Sequence, residues 1–254
     1  MVSFRSAGAD AYGSFMGRYA EPLAVLFADH ARTVGGQRAL DVGSGPGALT
    51  AELVRRLAST AVCAVEPSPT FAAALRQRLP GVAVSQAAAE HLPFADAVFD
   101  LVAAQLVVHF MADPAGGLRE MRRVTRPGGT VAACVWDYGG GRGPASTLWR
   151  GADELGWSAP DESDLPGVRE GQLVTLFAQA GLGELRAETL TVTVRYPSFE
   201  GWWQPLTLGV GPAGTYVASL DAGRRAALRR HCQTLLPAGP VEIVASAWTV
   251  VGRA

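Results

Sequence analysis

Three glycines alternate with other residues directly after a short apolar run, and an acidic residue precedes them. The glycines are Gly43, Gly45 and Gly47, and the acid is Asp41. Glycine has no Cβ, so a turn built from it can take positive φ and lets a ligand lie against the backbone. The amides at the start of a following helix point at that ligand. The stretch therefore predicts a small-molecule site at a strand–turn–helix junction.

The position of Asp41 distinguishes between two classes of ligand. A dinucleotide turn reads G-x-G-x-x-G and holds a pyrophosphate, whereas this chain has G-x-G-x-G. A carboxylate two residues before the first glycine repels a phosphate and suits a ligand with a cation, such as an amino-acid ammonium. An NAD(P)-dependent oxidoreductase on the same kind of fold is the less favoured alternative. The chain also lacks the lysine of short-chain dehydrogenases, because all 22 basic residues are arginine.

A second acid follows the glycine turn where a doubly wound sheet places its next strand end. Residues 38–42 and 61–65 are apolar runs bounded by turn signals, which predicts two strands buried on both faces. Glu66 ends the second run, 19 residues after Gly47. An acid about 20 residues on accepts hydrogen bonds from ribose hydroxyls in such sheets. Glu66 is therefore predicted to hold a ribose.

The glycine stretch resembles motif I of class I S-adenosylmethionine-dependent methyltransferases, in the Asp-x-Gly-x-Gly-x-Gly form. Residues 87–100 contain Ala-Glu-His-Leu-Pro-Phe and end in Phe-Asp, which resembles the ubiquinone/menaquinone-type (methyltransferase type 11) members. The Arg-Pro-Gly-Gly turn at 126–129 is similar to theirs. The resemblance implies S-adenosyl-L-methionine as the cofactor. It also implies a Rossmann-like, doubly wound α/β sheet of seven strands, mostly parallel with a C-terminal antiparallel hairpin.

The resemblance further implies which residues contact the cofactor. Where the family has an aspartate that binds the adenine amino group, this chain has Ala88. The adenine contact must then come from the backbone of Ala89 and Glu90, or from the Glu90 side chain. The N-terminal segment commonly caps the site in such enzymes. The predicted cofactor-binding residues are Asp41, Gly43, Ser44, Gly45, Gly47, Glu66, Pro67, Ala89, Glu90, Gln105 and Arg18.

The acceptor side is predicted from one histidine and several aromatic residues. His109 follows the fourth predicted strand, residues 101–104, near the edge where ligands of open α/β sheets bind. A neutral imidazole can take a proton from a phenol or hydroxyl, so His109 is the candidate catalytic base. The alternative is that His109 has no catalytic role and only packs under the cofactor. The predicted substrate pocket consists of Tyr12, Phe15, Tyr19, His109, Trp136, Tyr138, Trp202 and Trp203.

We interpret the 254 residues as a single domain with four parts. These are an N-terminal helical cap (1–36), a cofactor-binding core (37–136), a lid-like insertion (137–168) and the C-terminal part of the sheet with substrate-pocket elements (169–254). The periodicity of 21–34 predicts a helix with Leu26 on its apolar face. The insertion holds Trp149 and Trp157, which we expect to be exposed on a lid over an apolar substrate. An ordinary insertion packed on the core is the alternative.

Composition narrows the classes of molecule that the chain is expected to bind. The net charge is −1 and 48% of the residues are apolar, which gives no electrostatic reason to bind nucleic acid or an anionic membrane. Three isolated cysteines and the absence of metal-ligand spacing predict reduced thiols and no metal. We expect a cytoplasmic monomer or homodimer acting on a small molecule. The arginine-only, alanine- and glycine-rich composition is associated with high-GC genomes and secondary metabolism.

The predicted activity is methyl transfer from S-adenosylmethionine to a small, apolar or aromatic molecule. O-methylation is favoured over N- or C-methylation. The methyl group is already activated on the cofactor, so orientation of the acceptor is expected to do most of the catalysis. Two alternatives stay open, namely a protein that binds the cofactor without transferring its methyl group and a cyclase on the same fold.

Overall fold

The computed structural model of this chain describes residues 8–254. The first seven residues of the predicted N-terminal cap lie outside that range. The rest of the cap is helical throughout: a helical turn at Ala9–Tyr12 and a π-helical turn at Gly13–Gly17 run directly into α1 (Arg18–His30). The helix therefore begins well before residue 21, where periodicity predicts its start.

Over the described residues, a mixed sheet of seven strands forms the centre of the molecule. The strands are β1 (Ala39–Val42), β2 (Val62–Val65), β3 (Ala83–Ser85), β4 (Phe99–Gln105), β5 (Thr125–Trp136), β6 (Gly183–Tyr196) and β7 (Val241–Arg253). Their order is β3-β2-β1-β4-β5-β7-β6. The first five strands pair in parallel, and β7 is antiparallel to both β5 and β6. This confirms the predicted fold class.

The strand order reverses between β1 and β4, which places a ligand crevice at their carboxyl ends. Helices cover both faces of the sheet. After α1 they are α2 (Ala48–Leu57), α3 (Pro69–Arg78), α4 (Pro114–Val124), α5 (Ser146–Glu154), α6 (Gln172–Gln179), α7 (Phe199–Leu206), α8 (Gly211–Ser219) and α9 (Ala222–Thr234). One apolar core contains Phe27 and Leu53, and a second contains Leu118 and Phe177. Among the described residues no helix has the length and apolar character needed to cross a bilayer.

The structure adds two local details to the predicted strands. β5 begins at Thr125, before the Arg-Pro-Gly-Gly segment that the sequence assigns to a turn. Thr125 pairs with Phe99 and Thr130 pairs with Leu101, so the residues between them bulge out of the strand, and Gly128 takes a φ of +75° there. β6 and β7 do pair antiparallel, but helices α7 to α9 connect them instead of a hairpin turn.

Burial of the helical segments corrects two further expectations. Leu26 is 37% exposed, while Leu23 and Phe27 on the same helix are fully buried. The insertion at 137–168 folds around α5, and Trp149 on that helix is 8% exposed. Its ring packs against Tyr216 at a centroid distance of 5.5 Å. Trp149 is therefore a packed residue and not an exposed lid residue, and Trp157 is half-buried.

Candidate active site

The turn after β1 has the backbone geometry that its glycines predict. Gly43, Gly45 and Gly47 have φ values of +70°, +53° and +97°, a region that side chains with a Cβ rarely adopt. A Cβ at Gly43 would lie 2.6 Å from the methyl groups of Val107, and one at Gly47 would lie 2.5 Å from Leu75 Cδ1. A Cβ at Gly45 would meet nothing within 4 Å. The middle of the turn therefore faces open space that a ligand can occupy.

Glu66 joins the glycine turn to the start of α3. Its Oε2 accepts a hydrogen bond from the Gly45 amide and its Oε1 accepts one from the Ser68 amide, both at 2.8 Å. Ser68 in turn caps α3, where its Oγ accepts from the Phe71 amide. The Glu66 side chain is 5% exposed, at the carboxyl end of β2. Glu66 thus holds the turn in place, and its contact with a ribose stays a prediction.

Asp41 is buried in β1 beneath the turn and is 1% exposed. Its Oδ2 accepts a hydrogen bond from the Thr50 hydroxyl of α2 at 2.6 Å. Burial raises the pKa of this carboxyl to about 7, although the Thr50 hydrogen bond acts in the opposite direction. A cationic ligand group nearby would favour the charged form. Thr50 was not predicted from the sequence, and its only signal is its position one helical turn after the glycines.

Tyr12 lies near two buried carboxyls, those of Asp41 and Glu66. Burial raises the pKa of its phenol above the ordinary value, and the nearby carboxyls of Glu66 and Asp41 add to the effect. Its ring makes an edge contact with Phe71 of α3 at 5.4 Å. The N-terminal segment therefore reaches the region of the glycine turn, as the resemblance implies. The sequence analysis did not identify Phe71 as a residue of this region.

The residues at this edge fit S-adenosylmethionine by the chemistry of their side chains. The Oγ of Ser44 is buried and has no hydrogen-bond partner in the structure. Buried polar atoms without a partner are rare, and a ligand contact explains this one. The open space over Gly45 and the buried acids Asp41 and Glu66 complete a cradle for a ligand with hydroxyl and ammonium donors.

The remaining predicted cofactor residues differ in their surroundings. Ala89 is buried, and Glu90 accepts hydrogen bonds from the Ala112 and Asp113 amides at 2.8 and 3.3 Å, which leaves its side chain engaged with the loop before α4. Pro67 is exposed. Gln105 donates from Nε2 to the Ala20 carbonyl at 2.8 Å, and its buried Oε1 has no partner.

Arg18 points to a different part of the molecule. Its guanidinium lies over the ring of Tyr196 at 5.0 Å, and Tyr196 belongs to β6 at the far edge of the sheet from β1. The Tyr196 hydroxyl donates to the Tyr19 hydroxyl at 2.9 Å. The described contacts of Arg18 thus link the cap to β6 and do not include the glycine turn.

The predicted aromatic pocket separates into packed and accessible parts. Trp136 is 1% exposed, and its Nε1 donates to Met16 Sδ at 3.4 Å. Tyr19 packs edge-on against the same indole at 6.3 Å. These side chains form the wall behind the pocket. Three other residues of the predicted pocket are also packed in the core, namely Phe15, Trp202 and Trp203.

His109 is enclosed at the carboxyl end of β4, with 3% of its surface exposed. Its ring lies 4.0 Å from that of Phe110 and 6.3 Å from that of Tyr138. Burial lowers the pKa of the imidazole to about 3, so the ring stays neutral at pH 7. Its Nδ1 is buried without a hydrogen-bond partner. In this setting His109 can offer a hydrogen bond to a ligand, but it holds a proton poorly.

The sequence analysis missed Glu162, a buried acid in the insertion. Its side chain is 3% exposed, although the neighbouring Asp161 is exposed. Burial raises the pKa of Glu162 to about 8, against the opposing effects of Trp149 and Tyr138. Nothing in the local sequence distinguishes it, because it lies in an acidic run that is typical of a solvated loop. Its burial results from tertiary packing, which the local sequence does not show.

A cleft of about 680 Å³ runs along the insertion. Its lining includes Tyr138, Trp149, Trp157, Glu162 and the exposed Asp153. Tyr138 connects this cleft to the cofactor side, because the pKa of its phenol is raised by burial and by charges on both Glu162 and Tyr12. The described residues contain no cluster of three or more metal-binding side chains.

Comparison with known proteins agrees with this geometry. A family model described as a methyltransferase domain matches residues 40–133. The demethylmenaquinone methyltransferase of Mycolicibacterium paratuberculosis is 39% identical over 99 residues, which cover 39% of this chain and 41% of that protein. The chain matches about two fifths to one half of the length of its first curated relatives.

Solved structures share the fold across nearly the whole chain. An S-adenosylmethionine-dependent methyltransferase from Thermotoga maritima has a TM-score of 0.55 at 19% identity, covering 96% of this chain and 98% of that one. The [4+2]-cyclase SpnF has a TM-score of 0.56 at 21% identity, covering 92% and 81%. Residues 40–133 are therefore similar to a methyltransferase domain, and the solved structures show that the chain shares their fold.

Proposed function

We propose that this chain transfers the methyl group of S-adenosylmethionine to the hydroxyl of a small apolar or aromatic molecule. The observation that carries the proposal is the junction of β1 and α2. There, three glycines take positive φ, the middle one faces open space, and Glu66 accepts a hydrogen bond from the amide of that middle glycine, Gly45, at 2.8 Å. Asp41 and Tyr12 border the same space. This arrangement supports binding of a ligand with hydroxyl groups and a cation.

The cofactor supplies a methyl group that is already activated on a sulfonium. The chain's own residues have to hold the acceptor in line and exclude water. Orientation of this kind can be equivalent to ~10⁵–10⁸ M in effective concentration. Tyr138, Trp149 and Trp157 line the cleft with aromatic surface. Since His109 is held neutral, we assign it to positioning the acceptor and not to general base catalysis.

The acceptor class rests on the character of the cleft and not on the relatives. The name of the Mycolicibacterium relative concerns demethylmenaquinone, and that protein shares only part of this chain. The aromatic side chains of Tyr138, Trp149 and Trp157 in the lining favour an aromatic acceptor. Charged side chains line the same cleft, so a polar group on that acceptor can also be held there. We place the reaction in secondary metabolism and in the cytoplasm as part of the same proposal, with a monomer or homodimer as the acting species.

Calorimetric titration with S-adenosylmethionine, S-adenosylhomocysteine and NADPH tests the cofactor site. We expect binding of the two sulfur compounds alone. Asp41→Ala should abolish that binding, and Asp161→Ala, which removes an exposed carboxyl, should leave it unchanged. Binding of NADPH alone would refute the proposal. Formation of S-adenosylhomocysteine with a panel of aromatic hydroxyl compounds then separates a transferase from a protein that only binds the cofactor, or a cyclase.

A further inference from the structure

Glu162 is a buried carboxyl that the cofactor site does not use. Burying an acid is costly unless it is paired or hydrogen-bonded. The nearby arginines are engaged with other acids, because Arg142 pairs with Asp137 and Arg169 pairs with Asp164. The fold thus keeps Glu162 at 3% exposure without an arginine partner among the described residues. A carboxyl held in this way is a candidate for contact with a ligand.

Polar groups of Trp149 and Tyr138 lie against the same carboxyl and act to lower its pKa by hydrogen bonding. The buried indole Nε1 of Trp149 nevertheless has no hydrogen bond of standard geometry. The Nδ1 of His109 is also buried without a partner, and the ring of Tyr138 lies between His109 and the carboxyl side of the cleft. Buried polar atoms are normally satisfied. This concentration of unsatisfied atoms indicates a place where a ligand supplies the missing polar group.

The cleft gives an acceptor access to this place. Tyr138, Trp149 and Glu162 all line the 680 Å³ cleft, which is large enough for an aromatic molecule. Tyr138 also lies close enough to Tyr12 for their charges to interact, and Tyr12 borders the glycine turn. An acceptor in the cleft can therefore have one end at Glu162 and the other near the cofactor side.

We propose that Glu162 accepts the proton of an aromatic hydroxyl on the acceptor, with the Trp149 indole N–H donating to the same polar end of the molecule. This inference rests on the proposed function. In the step, the O–H bond of the acceptor breaks and its electron pair stays on the oxygen. That oxygen forms a bond to the methyl carbon as the S–C bond breaks with its electron pair left on sulfur, so the products are the methyl ether and S-adenosylhomocysteine. The proton passes to a carboxylate oxygen of Glu162 and returns to water after the product leaves. Glu162 is then the general base that His109 is not.

The electrostatic setting suits this role. Burial holds the pKa of Glu162 at about 8, and Asp161 adds to the increase while Trp149 and Tyr138 oppose it. A base is most effective when its pKa lies near the working pH, and a positioned base contributes roughly 10²–10⁴ in rate. An ordinary solvated glutamate, with a pKa near 4.3, would be a weaker proton acceptor.

The test compares the binding of 2-naphthol with that of its methyl ether, 2-methoxynaphthalene, in the presence of saturating S-adenosylhomocysteine. Only the naphthol can donate a hydrogen bond, and its fluorescence reports binding. We expect Glu162→Gln to weaken 2-naphthol binding by about tenfold or more in titrations above pH 8, where the Glu162 carboxyl is ionised and the lost hydrogen bond is one to a charged group. Binding of the ether should not change. Glu170→Gln, the same change at an exposed glutamate outside the lining of the cleft, is the control.

The outcomes separate this inference from the proposed function. If 2-naphthol does not bind, or binds equally to the native protein and to Glu162→Gln, the inference is wrong even where S-adenosylhomocysteine binds. If S-adenosylhomocysteine itself fails to bind, the proposed function is wrong as well. A selective loss of naphthol affinity in Glu162→Gln, with Glu170→Gln unchanged, supports the inference. Once a substrate is known, the alkaline dependence of kcat/KM should be lost in the same variant.

Discussion

Alanine substitutions at four glycines separate backbone strain from loss of the cofactor site. Gly36, before β1, and Gly45 both have positive φ, at +89° and +53°, and a Cβ at either meets nothing within 4 Å. The left-handed conformation costs an alanine about 1–2 kcal/mol. Reduced entropy of the unfolded chain offsets roughly 0.4–1 kcal/mol of this. We therefore expect a net loss of about 1 kcal/mol in the free energy of unfolding for each variant, or roughly 2–4 °C in Tm.

The other two glycines add a steric term. In Gly47→Ala the new methyl group meets the buried Leu75 at 2.5 Å, and in Gly43→Ala it meets Val107 at 2.6 Å. Overpacking of this kind costs typically 1–3 kcal/mol, so we expect total losses of about 2–4 kcal/mol. Urea unfolding measures the stability of all four proteins. We expect Gly36→Ala and Gly45→Ala to lose similar, small amounts of free energy of unfolding, and the two clashing variants to lose more.

Ligand binding in the same series gives a different order. Calorimetry with S-adenosylhomocysteine should show unchanged affinity for Gly36→Ala, which lies outside the turn. Gly45→Ala should lose about tenfold or more, because its methyl group occupies the space in which the ligand lies. The pair is matched in strain and differs only in position. Native-like affinity in Gly45→Ala would refute the cradle geometry, and an equal loss in Gly36→Ala would mean that strain alone explains the effect.

Three further experiments test the burial of particular side chains. The folded state holds the Glu162 proton up to about pH 8, while the unfolded chain loses it near its ordinary value. Stability from this group is therefore present at low pH and lost as pH rises through 8, and Glu162→Gln should flatten the fall in Tm between about pH 5 and 8. Trp136→Ala should lower the free energy of unfolding by about 3–5 kcal/mol in urea titrations, and Trp157→Ala by much less, since only Trp136 is fully buried. Thiol titration of the folded protein should label none of the three buried cysteines, Cys63, Cys134 and Cys232, and all of them after unfolding.

The cofactor half of the site could be predicted from sequence because its signals are local. Asp41, the glycines and Glu66 occupy fixed positions at the ends of two adjacent parallel strands, so spacing along the chain determines their spacing in the fold. Leu26 shows the limit of periodicity, since it continues the apolar pattern of α1 while lying at the edge of the buried face.

The acceptor half could not be predicted, because long-range packing determines it. Trp149 was expected to be exposed, but contact with Tyr216, more than 60 residues further along the chain, buries it. Glu162 was indistinguishable from a loop residue, and its burial depends on Tyr138 and Trp149, which come from different segments of the insertion. No window of sequence contains these contacts together. The segment lines a cleft, and its role as a lid stays a prediction.

This difference has a consequence for how the two halves of the site can be altered. The glycine turn depends on backbone conformation, so a single methyl group at Gly45 is enough to disturb it. The acceptor cleft depends on side chains of an insertion that lies outside the parallel strands, and Glu162 can be replaced by glutamine with little change in shape. Substitutions in the insertion should therefore change which molecules bind while the affinity for S-adenosylhomocysteine stays the same. Because the two sets of residues meet only near Tyr12 and Tyr138, that pair is where acceptor and cofactor binding become coupled.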